Sequence, residues 1–500
     1  MSNPNPLSAP LPAPRWLVGL GLMALVTLSV FLFQRATAIA GGSDSSGYLN
    51  SARLLASGQL STPHRLPAEL DTGFSPFHFV PLGFVPGDAG QIVPTYPIGV
   101  PAHFALAGKV IGWASGPLLV VVLFGVSTVW LCYLCAREIG ISAPLAFAGA
   151  AILALSPIYL FTSMQALSDT PATAWSLATL WLALRARRGS TSWAAASGVA
   201  LAIAVLVRPT SILLLPAHAL LLGNWRRLFA AAAGGIPGAL WLLYYNNLLY
   251  GGPFKTGYGD IAASLKSEMV FPTLLHIGLW LSRLLPAGLL LLPFAAWPLV
   301  RKQWRIAAAL ALWWSPCLIF YSYYDVTHET WWCLRFILPA IPALILAALL
   351  GVEEICRRHG GTLVRRWQFG ASLGLCIWAG AVAQHWIPRL GLLSFNQQEV
   401  LYVKACDWAN ANLPTNALIA TLPASGSLYF YTNFMVMRWD LLSTADYQRY
   451  APKLKAAGRP VYALLFPGEV KSALSERMPD QWEKIHEVSG ISFWKLAGQP

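Results

Sequence analysis

The chain has 500 residues, of which 56% are hydrophobic and only 11% charged, where a soluble domain has about a quarter charged. Such a composition suits solution in lipid and excludes an ordinary soluble protein. The net charge of +13 would suggest nucleic acid in a soluble protein, but here Lys and Arg stand mostly between apolar runs. The basicity therefore reads as membrane topology, and nucleic acid is not expected as a partner.

The first apolar stretch, "RWLVGLGLMALVTLSVFLF", is followed by "AIA" at 38–40, which mimics a signal-peptidase site. Arg15 is a thin positive region and the apolar core is long, so a retained first span is expected. Stretches long enough to cross roughly 30 Å of hydrocarbon fall near 15–38, 117–136, 142–164, 170–186, 191–207, 209–223, 228–249, 284–300, 306–322, 336–351 and 368–387. The resulting expectation is a polytopic α-helical protein of about eleven spans. Arg137, the cluster Arg185, Arg187 and Arg188, the pair Arg226 and Arg227, the cluster at 301–305 and the group from Arg357 to Arg366 then share one side. The positive-inside rule makes that side cytoplasmic, with the N-terminus inside a cytoplasmic (inner) membrane. The long segments 40–116, 250–283 and 323–335, and everything after about 388, lie outside. Twenty-two Trp and seventeen Tyr suit anchoring at the interface.

Cys132 and Cys135 form a CxxC inside an apolar run, and no second ligand pair accompanies them, so packing is the expected role. Residues 96–112, "YPIGVPAHFALAGKVIG", are too broken to span. From about 389 onward the pattern changes. "VLYVKACDWANANLP" reads as an amphipathic helix, and "NALIAT", "VYALLF" and "ISFWKL" read as short strands. A small α/β domain over 389–500 is therefore expected outside the membrane, after a membrane domain over 1–388.

Two acids begin helical patterns at span ends. Asp44 opens "SDSSGYLNSARLLASG", and Asp169 stands before Pro171 in "LSDTPATAW". Each alone suits a helix start, where a carboxylate favours the dipole. Together, at one water–lipid boundary, they also suit a general base and a partner that orients the acceptor or binds a metal. The glycine-rich loop "YGGPFKTGYGD" supplies Lys255 and Tyr258, with backbone free to approach an anion; a solvated turn is the alternative. "HIGLWLSR" offers His276 and Arg283, and "YYDVTHETWWCLRFILPAIP" offers Asp325, His328, Glu329 and Arg335. Arg335 meets the outer end of a span, where it either snorkels or binds a phosphate. Arg35 and Arg208 are external and unassigned.

The order of "SDSSGYLNSARLLASGQL", "YPIGVP", "LSDTPATAW", "RPTSILLLP", "YNNLLYGGPFKTGYG" and "LRFILPAIPAL" resembles the GT-C membrane glycosyltransferases. These use polyprenyl-phosphate sugars and include protein O-mannosyltransferases of family 39 and the lipid A aminoarabinose transferase. The resemblance implies a GT-C fold and transfer of a sugar, with inversion, from a polyprenyl-phosphate donor to a lipid, glycan or protein acceptor outside the membrane. By motif, it implies that Asp44 and Asp169 are the catalytic carboxylates. Lys255, Tyr258, Arg283, His328 and Arg335 are expected around the donor phosphate, and a divalent metal is left open. Ser45 follows Asp44 where many members carry a second acid, which argues against the O-mannosyltransferase branch. The competing readings are an O-antigen ligase or polymerase using pyrophosphate-linked glycans, and a non-enzymatic sugar-lipid flippase or transporter.

Overall fold

The computed structural model describes residues 12–70, 73–286 and 297–498. The chain forms two compact units. The first comprises Met1–Ala36, Leu119–Tyr244 and Asp260–Leu393, and the second Thr37–Leu118, Tyr245–Gly259 and Ser394–Pro500.

The first unit is helical. Five helical runs among the described residues are long and apolar enough to cross a membrane: Arg15–Arg35, Gly116–Glu138, Trp225–Tyr250, Trp304–Tyr323 and the continuous stretch Trp331–Arg389. A sixth arises if Ala143–Leu155 and Pro157–Ser163 form one span, bent by 64°. The bend has a local cause. Ser156 precedes proline, which drives it to extended geometry (φ −65°, ψ 124°) and ends the first helix. The expected spans at 191–207 and 209–223 are shorter apolar helices, Thr191–Val207 and Pro209–Leu222. The expected span at 284–300 falls mostly outside the described residues; the helix Val270–Leu284 ends where that span would begin.

The interior of this unit is aliphatic, with Leu145, Ile152, Leu334, Ile345 and Leu349 buried in one cluster. Gly149 leaves no room for a Cβ beside Leu349, so a glycine sets the approach of those helices. Cys132 and Cys135 are buried, and Cys135 Sγ lies 3.4 Å from the Leu177 carbonyl, which fits the packing role. Glu138, itself buried, receives Arg185 at 3.2 Å and Arg188 at 2.5 Å. Part of the basic signal in the sequence is thus neutralised locally.

The second unit is α/β. A five-stranded sheet runs in the order β5 (Met435–Met437), β4 (Leu418–Ala420), β6 (Val461–Leu465), β8 (Ile491–Leu496) and β7 (Trp482–Val488). The β4 strand is parallel to both neighbours, with Ile419 opposite Val436 and Tyr462; β8 is antiparallel to β6 and β7. All three strands expected from the sequence are present, and the expected amphipathic helix is Phe395–Asn412. Residues 37–118 belong to the same unit. Leu70 and Phe79 are buried with Leu418, Met437 and Leu465, and Arg438 N donates to the His78 carbonyl at 2.7 Å. A small antiparallel sheet of β1 (Thr62–Pro63), β3 (Gln91–Pro94) and β2 (Phe84–Pro86) completes this part. The stretch at 96–112, expected to be too broken to span, carries the 13-residue helix Gly99–Ile111.

Candidate active site

Asp44 is the first residue of the helix Asp44–Ala56, and Gly58, with φ +75°, follows its end. The preceding residue, Ser43, makes no side-chain cap bond. The Asp44 carboxylate engages the Tyr96 phenol, which it hydrogen-bonds and whose ionisation its charge opposes. Tyr96 also meets Ser43 Oγ at 2.7 Å and packs against Tyr48 with ring centroids 4.8 Å apart. Burial first, and the neighbouring Asp44 charge second, hold the Tyr96 phenol well above its ordinary value. It therefore stays protonated and donates to the carboxylate.

Glycines make this contact available. A Cβ on Gly47 would overlap the Tyr96 ring, and one on Gly83, where φ is +90°, would overlap Gly47 itself. Gly257 packs directly on the Thr95 main chain, and the Tyr250 hydroxyl donates to the Pro94 carbonyl at 2.8 Å. These contacts lay the 251–259 loop beside Tyr96. Tyr258, 45% exposed, presents its edge to the Tyr96 ring at 5.9 Å. Lys255 is exposed and has no ion pair among the described residues.

A second acid, absent from the sequence expectations, stands at the same loop. The Glu399 carboxyl occupies the space a Cβ on Gly41 would take, and Tyr402 lies against Gly41 and Gly42. Burial pushes Glu399 up to about 7, from an ordinary glutamate value of about 4.3. A carboxyl raised in the folded state stabilises most below its unfolded value and loses that contribution as pH rises through the folded one. Glu399→Gln, which mimics the protonated form, should therefore leave the melting temperature unchanged near pH 4.5 and raise it at pH 8. Melting curves at the two pH values check this, and equal differences at both would contradict the burial of charge.

The other acid lies in the first unit. Asp169 starts the helix Asp169–Ala186 with Pro171 in its first turn, where the missing N–H costs nothing. Its side chain does not cap. Asp169 is 3% exposed and forms an ion pair with Arg208, with Arg335 Nη1 3.9 Å from the second carboxylate oxygen. Arg208 ends the helix Thr191–Val207 in an extended conformation (φ −150°), as a residue before proline must. Its Nε donates to the Tyr321 hydroxyl at 3.3 Å, and Thr210 Oγ1 lies 2.9 Å from the same oxygen. Two guanidinium groups on one carboxylate leave a net positive charge. Arg335 sits in the 3-10 segment Trp331–Ala340 and is partly exposed.

The expected site residues are thus brought together in two groups, one per unit: Asp44 with the loop of Lys255 and Tyr258, and Asp169 with Arg335. Arg283 is exposed, lies 5.1 Å over the Trp280 ring, and joins neither group. His328 is half-buried with Nδ1 lacking a hydrogen-bond partner. It faces His276 electrostatically, and Asp325 pairs with Lys266 at 3.3 Å. Arg208, Tyr96 and Glu399 are functional candidates that the sequence alone did not assign. Arg208 carried a signal, a cation at the end of an apolar run, and Tyr96 opens the quoted "YPIGVP" without having been given a role, whereas Glu399 carried none. Among the described residues no three His, Cys, Asp or Glu side chains gather as a metal site.

The apolar helices and the structural similarities that follow mark a multi-span helical membrane protein with the GT-C fold and an α/β unit. A family model described as dolichyl-phosphate-mannose-protein mannosyltransferase matches residues 97–245. The structure is similar to that of ArnT from Cupriavidus metallidurans bound to undecaprenyl phosphate, with TM-score 0.57 and 14% identity, over 97% of this chain and 99% of that one. It is also similar to the Archaeoglobus fulgidus oligosaccharyltransferase tethered to an acceptor peptide, with TM-score 0.55 and 11% identity, over 97% and 74%. A third similarity is to the mycobacterial arabinofuranosyltransferase AftD, with TM-score 0.54 and 14% identity, over 98% of this chain and 42% of that one. No curated protein matches by sequence.

Proposed function

We propose that the chain is a glycosyltransferase that moves a sugar from a polyprenyl-phosphate donor to an acceptor hydroxyl on the extracytoplasmic side of the cytoplasmic membrane. The observation that carries this reading is the Asp44 carboxylate. It stands at a helix start and is engaged by a buried tyrosine, as a positioned base would be. The match to the mannosyltransferase family model and the undecaprenyl phosphate named for the ArnT structure support a lipid-monophosphate donor.

In the proposed step the acceptor oxygen bonds to the anomeric carbon as the carbon–phosphate oxygen bond breaks, and the electron pair leaves with the phosphate. Asp44 takes the acceptor proton, and the Tyr96 hydrogen bond fixes the carboxylate for that transfer. Within the first unit, Asp169 anchors Arg208 and Arg335, whose surplus positive charge suits an anionic group. Lys255 adds a mobile cation, with Tyr258 beside it. A single displacement inverts the anomeric centre.

The test is to reconstitute the purified chain with a panel of polyprenyl-phosphate sugars and to follow release of free polyprenyl phosphate. Turnover of pyrophosphate-linked glycans alone would move the chain to the ligase class, and lipid translocation without bond cleavage would make it a transporter. Lys255→Ala should raise the donor KM by about tenfold, equivalent to about 1.4 kcal/mol of charge-assisted binding, with kcat little changed. An unaltered KM would remove Lys255 from the donor site.

A further inference from the structure

Away from Asp44 and its tyrosine, the second unit contains a polar groove that the transfer step does not use. Asn50, Arg53, Thr62, Arg65, Asn410 and the segment 429–433 line a cavity of about 420 Å³, within the roughly 300–1,000 Å³ of small-molecule sites. The two arginines define it. The Arg53 guanidinium stacks on Phe430 at 3.4 Å and donates through Nη1 to the Phe430 carbonyl at 2.7 Å. The Arg65 guanidinium stacks on Tyr429 at 3.9 Å and donates through Nη1 to the Thr432 carbonyl at 2.9 Å.

Neither arginine forms an ion pair among the described residues. Partial burial lowers both from their ordinary value, yet arginine stays charged. Two like charges, partly desolvated and held in one concavity with most of their N–H donors unspent, are costly unless an anion joins them. The stacked rings fix the guanidinium planes, so a carboxylate or phosphate meets a preorganised fork.

The remaining lining is suited to hydroxyl groups. Asn50 and Asn410 spend Nδ2 on the carbonyls of Gly426, at 3.0 Å, and Tyr431, at 3.2 Å, leaving their side-chain oxygens as acceptors. Thr62 and Tyr429 share a hydroxyl contact of 3.2 Å. Arg53 also lies on the helix that Asp44 begins. Nine residues along an α-helix is about 14 Å, within the span of a short oligosaccharide.

We propose that this groove binds an anionic saccharide, a glycan carrying a carboxylate or phosphate group, through Arg53 and Arg65. Its assignment as the docking site of the acceptor rests on the glycosyl-transfer reading above; its existence as a binding site does not.

The full-length protein in uncharged detergent is titrated calorimetrically with trigalacturonate, mannose 6-phosphate, maltotriose and inorganic phosphate. At least one anionic sugar should bind ten times more tightly than maltotriose. Arg53→Gln and Arg65→Gln should each weaken it about tenfold. If either arginine variant fails to fold, Asn410→Ala, at an exposed position, should still weaken binding about threefold. Equal affinity for maltotriose, no binding of either anionic sugar, or binding indifferent to these substitutions would overturn the proposal. Inorganic phosphate matching mannose 6-phosphate, with no trigalacturonate binding, would show an adventitious ion only and also overturn it. Binding without transfer would defeat the catalytic reading alone, and transfer without binding would defeat the groove alone.

Discussion

Asp44→Asn should lower kcat by about 10²–10⁴-fold, the usual contribution of a positioned general base, and leave the fold intact. Asparagine is as acceptable as aspartate near a helix start, has nearly the same shape, and keeps an oxygen to accept from Tyr96. What it loses is the ability to take a proton. The measurement is donor turnover at saturating substrate, with melting temperature and membrane insertion compared alongside. Activity within threefold of wild type would remove Asp44 as the base. A melting temperature several degrees lower would instead give it a mainly structural role. Tyr96 keeps its Ser43 contact in the variant, so the comparison isolates the proton acceptor.

Arg208→Ala should destabilise the protein by about 3–5 kcal/mol, as expected when one partner of a buried ion pair is removed. Asp169 would be left buried with Arg335 as its remaining cation, at 3.9 Å, and Tyr321 would lose the 3.3 Å contact from Arg208 Nε. The comparison that decides the mechanism is Arg208→Met with Asp169→Leu. Replacing both charges removes the uncompensated ion, so the double variant should recover much of the stability lost by Arg208→Met alone. Thermal unfolding of the purified protein in detergent checks this. Losses that simply add would mean that the two side chains do not act as a pair.

The starts of helices and strands were legible because their rules are local. Apolar length, prolines at helix starts and glycines at ends act within a few residues. The starts at Asp44 and Asp169, the helix 395–412 and the three expected strands all follow from such rules. The inclusion of residues 37–118 in the unit of the C-terminal sheet did not follow, since it depends on Phe79 sharing a core with Met437 and Leu465. No periodicity encodes that.

The site divides along the same line. The sequence by itself determined that acids begin two helices, that Arg335 is a cation at the start of an apolar run, and that a glycine-rich loop carries Lys255. Each of these rests on interactions within one turn or one loop. Only the tertiary structure decided what the acids do there: Asp169 turns to Arg208, Asp44 to Tyr96, and Glu399 reaches the Gly41 backbone. A capping bond and a long-range ion pair compete for the same carboxylate oxygens. At Asp169, which is buried, the charged partner wins, because leaving a guanidinium or carboxylate unpaired costs more than leaving a helix end without a side-chain cap.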